Sequence, residues 1–427
     1  MSALAKFLSV CGYEVSGSDG VRGEETEALA FYGVRVYIGA DGERREIKSA
    51  DMVVYTDAIP TEHEELVMAR ALSKKLLSRA ELLGLICEEF PNVIAVAGSH
   101  GKTTCTSMCA HILRQTGVPF TAHIGGEDST FGNFFWTGGE YFVTEACEYK
   151  KNLLKLKANV AVLLNIDQDH MECYDGFSDL QDCFRRYCDS AQTAFVCADD
   201  ENCQGIGECP SFGIQNAFAD YRAVDLRANG EKYAFTVEEY GKAICRVRLN
   251  SIGRCNIYNA LAAFAAMRSL GFDEKEIARG LENFTAVKRR FEKLGSYRGA
   301  SFICDYAHHP REIASTIATA EGVCRGKLYV VFQPHTYSRT KLLMGEFVKA
   351  LRPIKNLMIY KTYPAREKYD HEGSAEALSQ AVGSCLYSEN VYVLKTWLKK
   401  TVKEGDVVLF LGAGDIYYVA QYLLKEI

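Results

Sequence analysis

Residues 98–104, Gly98-Ser99-His100-Gly101-Lys102-Thr103-Thr104, set a lysine between small flexible residues and two hydroxyls. That is equipment for gripping a polyphosphate. Glycines let backbone N–H groups approach phosphate oxygens, and a helix opening at the lysine adds positive potential. The ammonium balances charge, and a threonine hydroxyl can ligate Mg2+. The glycine that the usual phosphate loop carries five positions before Gly101 is Val96 here, so the loop is a shortened variant. The competing reading, a glycine-containing turn with a solvated lysine, is disfavoured by the strand pattern before it and the helical pattern after it.

Two acidic clusters belong to the same chemistry. Glu145 and Glu148 follow a strand pattern at 140–144, and Asn165-Ile166-Asp167-Gln168-Asp169-His170 follows another at 160–165. Both are expected at the carboxyl edge that carries the phosphate loop, where carboxylate, hydroxyl and imidazole can hold Mg2+ against nucleotide phosphates. Either alone reads equally as a solvated loop or a helix cap. Asn256 and Asn259 share one face of a helix start, as ligand contacts or caps. Arg289 and Arg290 read as a phosphate clamp or as solvated cations. Asp305-Tyr306-Ala307-His308-His309-Pro310 and Gln333-Pro334-His335-Thr336-Tyr337-Ser338-Arg339 each follow a strand pattern. Neither has cysteine-containing metal spacing, so zinc is a poor fit.

The elements that must position these residues alternate between strand and helix patterns, which predicts parallel sheets covered by helices, an α/β chain. Strands are expected at 51–55, 93–97, 140–144, 160–165, 194–197, 328–332, 357–360 and 407–411, and a hairpin with a glycine turn at 229–250. Residues 2–11 form a helix pattern followed by a strand-like 13–17. A nucleotide-binding βαβ unit places a strand and a glycine-rich turn before such a helix, so the first sheet is expected to have a gap, as in a fragment or a start downstream of the natural one. Three domains are expected, at about 1–90, 91–295 and 296–427.

Composition excludes several classes. The chain has 427 residues, 48% hydrophobic and 24% charged, with formal charge −6 and no dense basic block, which argues against a nucleic-acid partner. No apolar stretch approaches the ~20 residues that span a bilayer, and the start lacks a signal-peptide pattern, so a cytoplasmic protein without a membrane partner is expected. The 16 cysteines lack C-x-x-C spacing and read as reduced, mostly buried thiols.

The segments GSHGKTT, EACEY, NIDQDH, GRCNIYNALAA, RRFEKLG, DYAHHP, FQPHTYSRT and LGAGDI stand in the order seen in the Mur ligases, and the chain resembles that family over essentially its whole length. The resemblance implies three domains: a truncated Rossmann-like domain for the UDP-sugar, a central P-loop ATPase-like domain, and a Rossmann-like C-terminal domain that brings the amino acid. It implies an ATP- and Mg2+-dependent ligase that adds L-alanine to the carboxylate of UDP-N-acetylmuramate through an acyl phosphate, in peptidoglycan precursor synthesis. By the family pattern Lys102, Glu148 and His170 are catalytic, and Thr103, Glu145 and His170 carry magnesium. Gly98, Ser99, His100, Gly101, Lys102, Thr103, Thr104, Asn256, Arg290, Asp305 and His308 contact ATP. Thr56, Ala58, Ile59 and Arg79 face the UDP-sugar, and His335 and Arg339 face alanine. Two positions depart from the family pattern: Cys147 stands where many relatives carry a carboxylate, and Thr336 where some carry an arginine. A recycling ligase that adds a preformed tripeptide, and a nucleotide-binding relative without turnover, are the alternatives. Oligomeric state is left open.

Overall fold

Strand Asn92–Ala97 is apolar along its length because both faces of its sheet are covered, and Val93 to Ala97 are at most 1% exposed. In the computed structural model, which describes residues 1–39, 43–229 and 232–426, it lies inside a ten-stranded sheet. Its neighbours are Tyr141–Glu145 on one side and Val160–Leu163 on the other, both parallel to it. The register sets Val96 opposite both Glu145 and Val162. Chain order reverses at this strand, so the loop after it opens at a topological switch point, where open α/β sheets bind ligands.

The chain divides into two compact units. The first holds Met1–Arg227, Ala234–Leu249 and Asn256–Thr285, and the second holds Ala228–Tyr233, Asn250–Cys255 and everything from Ala286 on. In the first unit, residues before the large sheet form two separate parallel pairs, Ser16–Asp19 with Arg35–Ile38 and Met52–Tyr55 with Lys75–Ser78. No described strand joins the two pairs.

The observed strands lie within a few residues of each expected one. Several strands arise where none was expected, and two of them, Phe120–Asp128 and Gly132–Trp136, pair antiparallel at one edge of the large sheet. Their pattern is illegible because Thr121, His123 and Asp128 are buried polar residues. The expected hairpin is a three-stranded run, Tyr221–Asn229, Lys232–Glu239 and Lys242–Leu249, with Gly241 at φ +76° in its second turn. Residues 230 and 231 of that segment lie outside the described residues.

The second unit carries a six-stranded sheet in the order Glu292–Tyr297, Ala300–Asp305, Val407–Leu411, Leu328–Phe332, Asn356–Tyr360, Leu386–Ser388. Only the first pairing is antiparallel. Apolar clusters cover both faces, one around Val330, Phe332 and Phe347 and the other around Phe302, Phe410 and Leu423, as a Rossmann-like unit requires. Register puts Asp305 and Phe332 both opposite Leu411, so the segments after these three strands leave one edge together. All cysteines are free thiols; half are buried, and Cys11 and Cys255 are exposed. No helix among the described residues is long and apolar enough to cross a membrane.

Candidate active site

Helix Lys102–Thr116 begins where Gly101 turns left-handed at φ +89°. A β-carbon there would stand 2.5 Å from Asn259 Oδ1, and one on Gly98, at φ +133°, would meet Asn165 N at 3.1 Å. Glycine is required at both positions by space as well as by backbone angle. The loop is tied to the segment after the neighbouring strand. His100 N donates to Asn165 Oδ1 (2.8 Å), Asn165 Nδ2 donates to His100 O (3.0 Å), and Asp167 N donates to Ser99 Oγ (2.8 Å). The His100 ring meets the Asp167 carboxylate at 2.9 Å. Asn256 and Asn259 join each other at 3.2 Å on helix Arg254–Ser269, with Asn259 over Gly101.

Lys102 Nζ donates to Gly98 O (2.5 Å), Ser99 O (3.2 Å) and both Glu148 oxygens (2.9 and 3.1 Å). The lysine side chain is 16% exposed and the glutamate 2%. Burial opposes the ammonium's charge, but the Glu148 carboxylate, reinforced by Glu145, outweighs it and holds the pKa above the ordinary lysine range. Lys102 is therefore a fixed cation at any physiological pH. Burial pushes the neighbouring Cys147 thiol to about 11, with Glu148 reinforcing the shift and Lys102 opposing it, so Cys147 stays neutral.

Glu148, Asp169 and His170 each bring a ligand atom to within 4.8 Å of the others. Two carboxylates supply the hard oxygens that Mg2+ prefers, and that ion needs few protein ligands, so the donor set fits it. His170 sits at φ +55° against the edge of the Tyr149 ring, 5.1 Å between centroids. The family pattern implies Thr103, Glu145 and His170 as the magnesium set; the cluster in the structure joins His170 to Glu148 and to Asp169 of the same acidic segment. Thr103 lies buried in the first turn of the phosphate-loop helix, and Glu145 Oε1 accepts from Gly125 N at 2.7 Å. Thr56, Ala58 and Ile59 follow strand Met52–Tyr55, with Ala58 N on Thr56 Oγ1 at 3.3 Å. Arg79 opens helix Arg79–Glu88, whose capping box pairs Ser78 with Glu81.

In the second unit a different cluster forms at the sheet edge. The Asp305 carboxylate accepts from Phe291 N (2.7 Å) and Ala307 N (2.8 Å). Burial raises its pKa more than Arg290 lowers it. Arg290 lies over the Tyr306 ring at 4.9 Å and 3.9 Å from Glu312, which also meets His308 at 3.3 Å. The His308 and His335 rings are 5.8 Å apart, His335 stacks on Tyr363, and Arg339 Nη1 reaches His335 Nδ1 at 3.4 Å. Burial, then His308 and Arg339, lower the His335 pKa to about 4, so this imidazole is neutral at physiological pH.

Family models match almost the full length: Mur ligase family, catalytic domain over residues 1–91, Mur ligase middle domain over 96–267, and Mur ligase, glutamate ligase domain over 289–414. The chain is a Mur ligase. It is 38% identical over 440 residues to a UDP-N-acetylmuramate–L-alanine ligase of Acetivibrio thermocellus, covering all of this chain and 93% of that one. A relative with the same name in Caldicellulosiruptor saccharolyticus is 37% identical, covering all of this chain and 96% of its own. Among solved structures, the UDP-N-acetylmuramate–alanine ligase of Thermotoga maritima matches with TM-score 0.85 at 27% identity, over all of this chain and 96% of that one. A murein peptide ligase of Psychrobacter arcticus matches with TM-score 0.75 at 21% identity, a likeness of fold.

Within this Mur ligase the residues expected from the sequence gather in two places. Lys102, Glu148 and His170 surround the phosphate loop in the first unit; Arg290, Asp305, His308, His335 and Arg339 share one sheet edge in the second. Arg289 departs from a phosphate clamp and from a solvated cation alike. Its guanidinium lies over Tyr306 (4.9 Å) and Tyr417 (5.4 Å) and donates to Gly414 O (2.8 Å) and Gly412 O (3.2 Å), riveting the loop after Val407–Leu411. Sequence reasoning also missed Glu312, which its i+4 spacing from His308 could have revealed.

Proposed function

We propose that this Mur ligase joins L-alanine to the carboxylate of UDP-N-acetylmuramate with cleavage of ATP to ADP and phosphate, in the cytoplasm, as a step of peptidoglycan precursor synthesis. The observation that carries the reading is Lys102 fixed on the phosphate loop by Glu148, beside an Asp169/His170 donor pair, in a chain similar throughout its length to L-alanine ligases.

The chemistry asks for charge neutralisation more than for a protein nucleophile. Gly98 to Thr104 cradle the nucleotide phosphates, and Lys102 releases its hold on Gly98 O and Ser99 O to meet the γ-phosphate. Asn256 approaches the nucleotide from the neighbouring helix. Glu148, Asp169 and His170, with Thr103 and Glu145 close by in the chain fold, would hold Mg2+, which supplies further positive charge when bound. Thr56, Ala58, Ile59 and Arg79 hold the UDP-sugar so that its carboxylate oxygen attacks the γ-phosphorus and ADP leaves. The resulting acyl phosphate is attacked by the amine of alanine, and phosphate departs with formation of the amide. His335, kept neutral, and Arg339 orient alanine, the guanidinium gripping its carboxylate. Arg290, Asp305 and His308 are further candidates for nucleotide contact, as the family resemblance implies.

The test is mass-detected product formation from UDP-N-acetylmuramate, ATP and Mg2+ with either L-alanine or the tripeptide. Alanyl product with clear preference for the free amino acid is expected. Preference for the tripeptide, or ATP binding without any amide formed, would overturn the assignment.

A further inference from the structure

Directly after Glu148 the backbone does something costly. Lys150 (φ +51°, ψ +31°) and Lys151 (φ +57°, ψ +26°) are consecutive left-handed residues that both carry a β-carbon. The turn is held by Lys151 N donating to Glu148 O (2.8 Å) and Lys151 Nζ to Asp179 (2.8 Å). Its effect is to bring Lys150 to the segment after strand Met52–Tyr55. There Lys150 Nζ donates to Asp57 Oδ1 (3.2 Å), and Asn152 Nδ2 donates to Asp57 Oδ2 (3.1 Å).

The same ammonium stands 5.5 Å from the centroid of the Tyr149 ring, whose edge packs on His170. One contiguous chain of contacts thus runs Asp57, Lys150, Tyr149, His170, linking the 56–59 segment to the donor group beside Lys102. An exposed ion pair alone would be weak evidence, but the strained turn is what brings it together.

We infer that Asp57 and Lys150 are positioning residues that set the UDP-sugar segment at the correct distance from Glu148 and His170, and so place the substrate carboxylate for attack. The inference rests on the ligase reading above. Neither residue performs chemistry; the pair fixes where the acceptor lies.

The experiment uses the full chain with Lys150→Ala, Asp57→Ala, the conservative Lys150→Arg, and the exchanged pair Asp57→Lys with Lys150→Asp. Each alanine variant is expected to raise the KM for UDP-N-acetylmuramate roughly tenfold, the scale of a coupling between neighbouring sites, with the KM for ATP changed less than about twofold. Lys150→Arg and the exchanged pair should recover most of the loss. Lys150 is 48% exposed and Asp57 21%, so unfolding midpoints should stay near that of the parent chain. An unchanged sugar-nucleotide KM, an ATP KM that rises in step with it, or an exchanged pair no better than the single variants would overturn the inference. Failure of the parent chain to form alanyl product would instead strike the ligase reading itself.

Discussion

Replacing Lys102 by Met keeps most of the unbranched apolar stem and removes the charge from a pair in which Glu148 is only 2% exposed. Two separable effects follow. Loss of one preorganised charge-stabilising donor lowers turnover by roughly 10²–10³. The second effect is on stability, because the Glu148 carboxylate is left buried without its cation. Breaking a buried pair from one side costs about 3–5 kcal/mol. The low end applies here, since Lys102 is 16% exposed and part of its charge is screened by solvent. On the scale of roughly 2–4 °C per kcal/mol for domains of 150–250 residues, ~3 kcal/mol is a fall of about 6–12 °C in the unfolding midpoint. Adding Glu148→Gln to Lys102→Met removes the stranded charge, so the double variant should regain most of the midpoint while its turnover stays as low as that of the single variant. Midpoints are compared between variants, because a chain of two units does not license one two-state free energy. A Lys102→Met protein with the parent's midpoint, or a double variant less stable than the single one, would refute the argument that this pair is buried and mutually dependent.

Asn165→Ala removes the two hydrogen bonds between its amide and the His100 backbone while leaving the His100–Asp167 contact, and should raise the KM for ATP about tenfold with the alanine KM unchanged, as steady-state kinetics with each substrate varied would show. Arg339→Ala should raise the KM for alanine with little change in ATP affinity, the pattern of a lost ground-state contact, and an unmoved alanine KM would count against that assignment. His123, buried and bonded to Thr144 Oγ1 at 2.9 Å, is lowered to about 3 by burial and then by Arg79, and His335 is lowered to about 4. Both imidazoles are neutral in the folded chain while the unfolded chain protonates near pH 6.5, so the unfolding midpoint should fall as pH drops from about 6.5 toward 4, and NMR should show neither ring titrating above pH 5.

How much of this could be read without coordinates depends on the range over which each cause acts. Val93 to Ala97 announce a strand because every side chain is apolar, and the loop after them announces itself because glycine and lysine have specific physical uses. The strand Phe120–Asp128, next to the edge of the large sheet, hides for the opposite reason. Asp128 is buried yet accepts from Ser107 Oγ and from the backbone N–H groups of Thr130 (2.7 Å) and Phe131 (3.0 Å), with His111 at 3.2 Å, so its polarity is satisfied by partners that no local pattern names. The partner of Lys102 is a different matter. Glu148 lies 46 positions away in sequence, but the strands before the two residues are adjacent and in register, with Val96 opposite Glu145. Once those strands are taken as neighbours, a residue six beyond Val96 and one three beyond Glu145 must emerge at the same edge, and a buried lysine there needs a buried carboxylate. The pairing was therefore implied by sheet order, which single-strand patterns do not carry. Asp57 and Lys150 had no such guide, because the turn that joins them requires two lysines in a backbone region that lysine ordinarily avoids.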